Sequence, residues 1–409
     1  MKLAIGQLIY IVKDQLNFAN FYVLLLVFNA YSHLIGEDGI FITQIISIIN
    51  ILVSFYCIIK LNNSRYRNSY IKLLKRLLIL FSVYGIWLII TNDVQITSVS
   101  GYIKVKSYWY LMEIYSSILP IFSIYYFSIK NYFRKETLVV WLFIFMLLIP
   151  IIFIKSAESI GNDITSIFTT NRTSNIGYAF VAIIPAISLF NNKLIYQFLI
   201  FAYCMAFTLI CMKRGPIIIC LLCLIVFVYY KIKNVSLDKR IIIFVFLSIL
   251  LYVSISFIME LVGNNAYFMS RIEDTIEGGT SGRDSIYSIL IDYYFHKANI
   301  FQQLFGLGAY GTLKISHNLA HNDWLEILIG QGLFGVLLYT NYWLCFYKKI
   351  KRNRINQEVY LAMTLFFIIY SLKTLFSMSI NDIYVFSSLF FSYYLAQSDI
   401  QYLDRSYLK

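Results

Sequence analysis

Apolar runs of about 20 residues, the length of a helix that crosses hydrocarbon, recur along the whole chain. They fall at roughly 17–34, 40–60, 77–92, 108–129, 138–154, 175–190, 194–212, 216–230, 241–261, 323–346, 359–379 and 382–397, with short polar segments between them. Where no water can reach the backbone, each N–H and C=O has to pair within its own segment, so every run is expected to fold as a helix. The pattern predicts an all-α, polytopic transmembrane helical bundle of about twelve spans, a single integral membrane domain over residues 1–409. An even number of spans puts both termini on one side. One stretch departs from the rhythm: residues 262–322, between spans nine and ten, are polar and contain glycines. Short amphipathic patches such as 285–294 lead us to expect an ordered subdomain there, lying against the membrane surface.

Composition agrees with that pattern. The 409 residues are 59% hydrophobic and 13% charged, with mean hydropathy +0.70, which leaves too little charge to cover a water-facing globule. The 35 Tyr and 34 Phe suit interfacial aromatic belts. The net charge of +13 comes from short basic clusters between apolar runs rather than from one continuous face, so it reads as a topology signal and not as a nucleic-acid surface. Most of the 34 Lys and Arg fall on one side when the termini are cytoplasmic, and this sets the expected orientation. The six cysteines all lie inside apolar runs; Cys220 and Cys223 make a CxxC by spacing only, and small buried hydrophobes are the expected role. The first apolar run is not followed by a small-residue cleavage site, so no cleavable signal is expected.

The minority of cations on the outer side carry more information, because topology does not require them. Lys213 and Arg214 precede Gly215 and Pro216, and proline suits a first helical turn, so Arg214 is expected at the mouth of span eight beside the positive end of a helix dipole. Arg283, in Ser281-Gly282-Arg283-Asp284, precedes an amphipathic run where another helix is expected to start. Two arginines at a membrane surface suit a pyrophosphate, whose oxygens accept bidentate hydrogen bonds. The plainer alternatives are an interfacial anchor for Arg214 and a local pair with Asp284 for Arg283. The run from His317 to Glu326, His-Asn-Leu-Ala-His-Asn-Asp-Trp-Leu-Glu, opens span ten. A histidine there is suited to proton transfer near neutral pH, and the i,i+4 spacing of His317 and His321 also fits two metal ligands on a helix, although no third ligand is evident. Gly306, Gly308 and Gly311 match GxGxxG, but a dinucleotide site needs a preceding strand, so a tight turn is expected instead. Glu113 lies within span four, where a carboxylate is costly and expected to face a cavity or a cation.

Taken together, these pieces resemble the carboxy-terminal region shared by O-antigen polymerases and O-antigen ligases. The correspondence runs over about 171–346: Lys213-Arg214-Gly215-Pro216, then Gly282-Arg283-Asp284, then Gly306-Leu307-Gly308, then His321-Asn322-Asp323-Trp324-Leu325-Glu326 with Gly330, Gly332 and Gly335 following. The segment Asn171-Arg172-Thr173-Ser174-Asn175 resembles the family's polar loop, whereas the first 150 residues match only as hydrophobic spans.

The resemblance implies a GT-C type inverting glycosyltransferase of the bacterial inner membrane, with 262–322 as a periplasmic loop and no metal or other cofactor. It implies catalytic roles for His321, Arg214 and Arg283, and substrate binding by Arg172, Lys213, Asn322, His317 and Glu326. The implied partners are undecaprenyl-pyrophosphate-linked oligosaccharide donor and acceptor, the lipid bilayer, a chain-length regulator and a flippase. Polymerase and ligase differ in acceptor, another lipid-linked repeat or lipid A core, and an O-antigen, capsular or exopolysaccharide product fits equally. A flippase for lipid-linked oligosaccharide is the rival of another class. It is expected to carry charges along a central cavity, and here few charges lie inside spans.

Overall fold

The computed structural model describes residues 17–32, 38–63, 68–91, 96–98, 101–103, 106–158, 175–190, 193–211, 213–234, 236–264, 273, 283–379 and 385–407. The described chain is helical apart from one short ribbon. In order it forms α1 (Phe18–Ser32), α2 (Asp38–Asn62), α3 (Ser69–Thr91), α4 (Trp109–Ile129), α5 (Lys135–Glu158), α6 (Gly177–Ala182), α7 (Leu194–Ile210), α8 (Arg214–Asn234) and α9 (Leu237–Asn264). There follow α10 (Arg283–Asp292), α11 (Ile300–Phe305), α12 (Gly311–Ser316), α13 (Asp323–Arg352), α14 (Gln357–Phe376) and α15 (Val385–Tyr407). The ribbon, β1 (Ile96–Ser98) and β2 (Gly101–Ile103), pairs antiparallel with Thr97 opposite Tyr102. It lies between the third and fourth apolar runs, where no element was expected.

The described residues of the apolar runs are mostly helical. Among the described residues, seven helices are long and apolar enough to cross a membrane: Thr43–Asn62, Ser69–Thr91, Trp109–Ile129, Lys135–Ile154, Arg214–Lys233, Asp323–Arg352 and Gln357–Phe376. Phe18–Asn29, Gly177–Phe190 and Leu194–Ile210 are apolar but shorter. Two boundaries differ from expectation for clear reasons. Helix α3 starts at Ser69, well before the apolar run, because Lys72, Lys75 and Arg76 are good helix formers that extend the rod into a polar zone. The sixth run is broken: α6 passes into a 3-10 segment, Ile184–Phe190, because Pro185 has no N–H to give and its ring clashes with the preceding turn.

Helix α4 is the most buried of the seven and packs against α2, α3 and α15. Its small Ser123 joins a buried polar knot in which Tyr22 donates to Asn50 at 2.5 Å and Ser54 lies 2.6 Å from Ser123. Such a knot ties α1, α2 and α4 together where an unpaired hydroxyl would be costly. Helix α14 packs on α8, α13, α15 and the 3-10 segment, and α13 also meets α3 and the short helices α11 and α12. The polar stretch 262–322, expected to form an ordered subdomain, contains α10, α11 and α12 among its described residues, joined by short turns. A small core of Leu290, Ala320 and Ile329 joins α10, the loop before α13, and α13 itself.

Candidate functional site

The site rests on a break in α13. Gly332 takes φ +66° and ψ −166°, which ends helical pairing locally and frees carbonyls of the preceding turn. The turn Gly306-Leu307-Gly308 captures them: the Leu307 amide donates to Ile329 O and the Gly308 amide to Gly330 O, both at 2.8 Å. Gly306 and Gly308 have φ of +79° and +89°. A Cβ on Gly306 would strike the Gly330 carbonyl and one on Gly332 would strike Leu304, so the two backbones touch where only glycine fits. Tyr84 of α3 donates its hydroxyl proton to Phe305 O and fixes the far side of the turn.

The platform holds a second loop. Glu326, on the intact first half of α13, accepts from Thr312 Oγ1 at 2.6 Å and from the Ala320 amide at 2.5 Å. Asn322 caps α13, its Oδ1 accepting from the Trp324 and Leu325 amides at 2.9 and 3.3 Å. Buried Asp323 accepts from Tyr339 at 2.9 Å and from the Ser379 amide at 2.8 Å, and Trp324 Nε1 donates to Thr374 at 3.1 Å. His321 is thus displayed on a loop pinned at both ends. His317 and His321 both adopt left-handed φ, +58° and +51°, outside any helix. Their i,i+4 spacing therefore does not place two ligands on one helical face as the metal reading assumed.

Two cations from other elements, Lys213 and Arg283, act on His321 in this loop. Arg214 opens α8, with Gly215 and Pro216 in its first turn as the sequence predicted. Lys213, just ahead of it, donates to Asn175 and sits 5.3 Å from the centre of the buried Tyr178 ring. Lys373 of α14, 2% exposed, approaches the same ring at 5.2 Å. Gly215 allows this approach, because a Cβ there would collide with the Tyr178 hydroxyl. Arg283 opens α10, as expected, and its Nη1 donates to Phe376 O at 3.0 Å, at the last residue of α14. The side chain of His321 reaches solvent, yet desolvation by the surrounding loop, then the charges of Arg283 and Lys213, push its pKa below the ordinary 6.5. Arg283 and Lys213 are therefore each within electrostatic reach of His321.

Not every sequence candidate joins the cluster in the same way. His317 is exposed and ends α12, its amide donating to Leu313 O. Asn322 and Glu326 spend their oxygens on the fold, as described above. Arg172 lies outside the described residues. Glu113 of α4 neighbours Tyr310, whose ring meets Tyr110 edge-on at 5.3 Å. Lys373 and Tyr178 were missed. The available signal was a lysine inside an apolar run, a placement hydrocarbon penalises unless the charge is used or paired.

Beside the pinned loop a cavity of about 40 Å³ is lined by Tyr110, Tyr310, Asp323, Glu326 and Gln331 among others. Through Gly308 it adjoins an open apolar groove formed by Val83, Ile86, Trp87 and Ile90 of α3 with Phe305 and Leu307. Chemically, the arrangement offers an anion a set of cations, a histidine biased to its neutral form and an apolar approach. No family model matches this chain, and no curated protein matches it.

Proposed function

We propose that this protein is a glycosyltransferase of the bacterial inner membrane that joins undecaprenyl-pyrophosphate-linked repeat units, an O-antigen, capsular or exopolysaccharide polymerase. The observation that carries the reading is the influence of Lys213 and Arg283 on His321, with Lys213 and Lys373 sharing the Tyr178 ring, in a membrane-compatible bundle. Cations spread for topology alone have no reason to share a tyrosine ring or to bear on one histidine.

In this reading the polyprenyl chain lies in the groove along α3 and the pyrophosphate meets the cations. Arg283 and Arg214 hold its oxygens and stabilise the charge that grows as it leaves. Lys213 and Lys373, steadied by Tyr178, add positive potential behind them. His321, neutral at pH 7, accepts the proton of the acceptor hydroxyl as that oxygen attacks the anomeric carbon from the face opposite the departing pyrophosphate. One displacement inverts the anomeric configuration. Glu326 and Asn322 act as positioning residues for the histidine loop. The chain is oriented with cytoplasmic termini and residues 262–322 periplasmic, a GT-C type arrangement that the positive-inside bias supports.

The surface polysaccharide of a strain lacking this gene tests the reading. Lipid A core capped by a single repeat unit is the result expected for a polymerase. Loss of capped core with lipid-linked polymer accumulating outside makes the protein a ligase. Repeats trapped on the cytoplasmic side would make it a flippase and end the enzyme reading.

A further inference from the structure

The bundle end remote from His321 holds a cationic cavity, of about 390 Å³, between α3, α13 and α15. Helix α13 connects the two ends, starting at Asp323 in the candidate site and finishing at Arg352 in this cavity. The cavity takes Asn341, Leu344, Lys348 and Arg352 from α13, residues three or four apart and so on one helical face. Along that face the chemistry changes in one direction, from the half-exposed Leu344 to two cations.

A buried network builds the cavity's inner wall. Asp399 of α15 accepts from Tyr125 and from Asn68, both at 2.6 Å, and pairs with Lys349. Asn353 donates to Ser398 at 2.7 Å and to Lys349 O at 2.8 Å, closing the wall between α13 and α15. Lys349 is thereby neutralised, and Lys348 and Arg352 supply the remaining positive charge. With Leu73 and Leu344 toward the membrane interior and the cations one and two turns further out, the cavity is graded as a phospholipid is graded, acyl chain to phosphate.

We propose that this cavity is a binding site for the headgroup of an anionic phospholipid, its phosphate between Lys348 and Arg352 and one acyl chain along Leu344 and Leu73. Charge at the end of a helix is a common topology signal, but a topology signal needs no cavity and no walls. The site is separate from the proposed reaction and stands whether or not that reaction is correct.

The test is native mass spectrometry of the full-length protein exchanged against mixed micelles of phosphatidylglycerol and phosphatidylcholine. The expected result is roughly a 10- to 30-fold preference for phosphatidylglycerol, the effect of two surface cations on one anionic lipid. The paired substitution K348Q/R352Q should reduce the preference to about twofold or less. K60Q/K130Q, which removes two charges at the same end outside the cavity, should leave it unchanged. Equal retention of both lipids by the wild type, or an equal loss in K60Q/K130Q, overturns the proposal. Displacement of phosphatidylglycerol by millimolar glycerol 3-phosphate also overturns it, in favour of a soluble phosphate.

Discussion

Arg283 Nη1 donates a 3.0 Å hydrogen bond to the carbonyl oxygen of Phe376, joining the first residue of α10 to the last residue of α14. One guanidinium nitrogen is used to hold the short helix in place, and a guanidinium carries further N–H donors that the proposed reading assigns to the pyrophosphate. In the proposed reading the same residue both anchors α10 and binds the donor.

That dual use separates two substitutions. Arg283→Ala removes both functions and should lower the rate of glycan transfer by roughly 100-fold or more, since hydrogen bonds to charged groups contribute about 1.5–3 kcal/mol each. Arg283→Lys keeps the charge and loses the fork, so roughly a tenfold loss is expected with donor KM raised. Steady-state rates with a lipid-linked donor make the comparison; an Arg283→Lys variant as fast as wild type would remove the bidentate role.

His321 has its pKa pushed below 6.5, first by desolvation and then by Arg283 and Lys213. A depressed pKa keeps the ring neutral to lower pH, so a histidine acting as a base should sustain activity until the pH falls below 6.5. Lys213→Gln takes away one positive charge, eases protonation of the ring and should move the acid limb of the pH–rate profile upward. An acid limb that stays in place in this variant, or moves downward, contradicts the assignment.

Glu326 distinguishes positioning from chemistry. Its two oxygens accept from Thr312 and from the Ala320 amide. Glu326→Gln keeps one acceptor for the amide and a donor that the threonine hydroxyl can receive, so activity within a few-fold of wild type is expected. Glu326→Ala loses both bonds and should cost about 10- to 100-fold, because the histidine loop is released. A Gln variant as damaged as the Ala variant would make the carboxylate itself a reacting group.

The glycine contacts predict a graded stability series. Gly306→Ala and Gly332→Ala meet another backbone as well as an unfavourable φ, and should lower the unfolding free energy by about 2–4 kcal/mol. At Gly308 a Cβ meets only Tyr84 Cδ1, at 3.6 Å, so strain alone should cost about 1–2 kcal/mol. Unfolding of the detergent-solubilised protein measures the order.

The helices were legible because hydrocarbon solubility is written residue by residue, and the openings of α8 and α10 because proline and the polar-to-amphipathic change mark them locally. The break in α13 was not. Gly330 and Gly332 look like ordinary small residues in an apolar run until Gly306 and Gly308, distant in sequence, come to rest on them. Lys373 carried a local warning, a charge among apolar residues, but its partner Tyr178 is one of 35 tyrosines and nothing local distinguishes it. The i,i+4 spacing of His317 and His321 carried no structural meaning, because it has meaning only on a helix and α12 ends at Ser316.

The most direct test of the central claim uses purified protein in liposomes with one undecaprenyl-pyrophosphate-linked repeat unit and no other protein. Wild type should produce a ladder of longer lipid-linked glycans with release of undecaprenyl pyrophosphate, and the Arg283→Ala/His321→Ala double variant should produce neither while remaining folded. A ladder of wild-type intensity from the double variant would contradict the account.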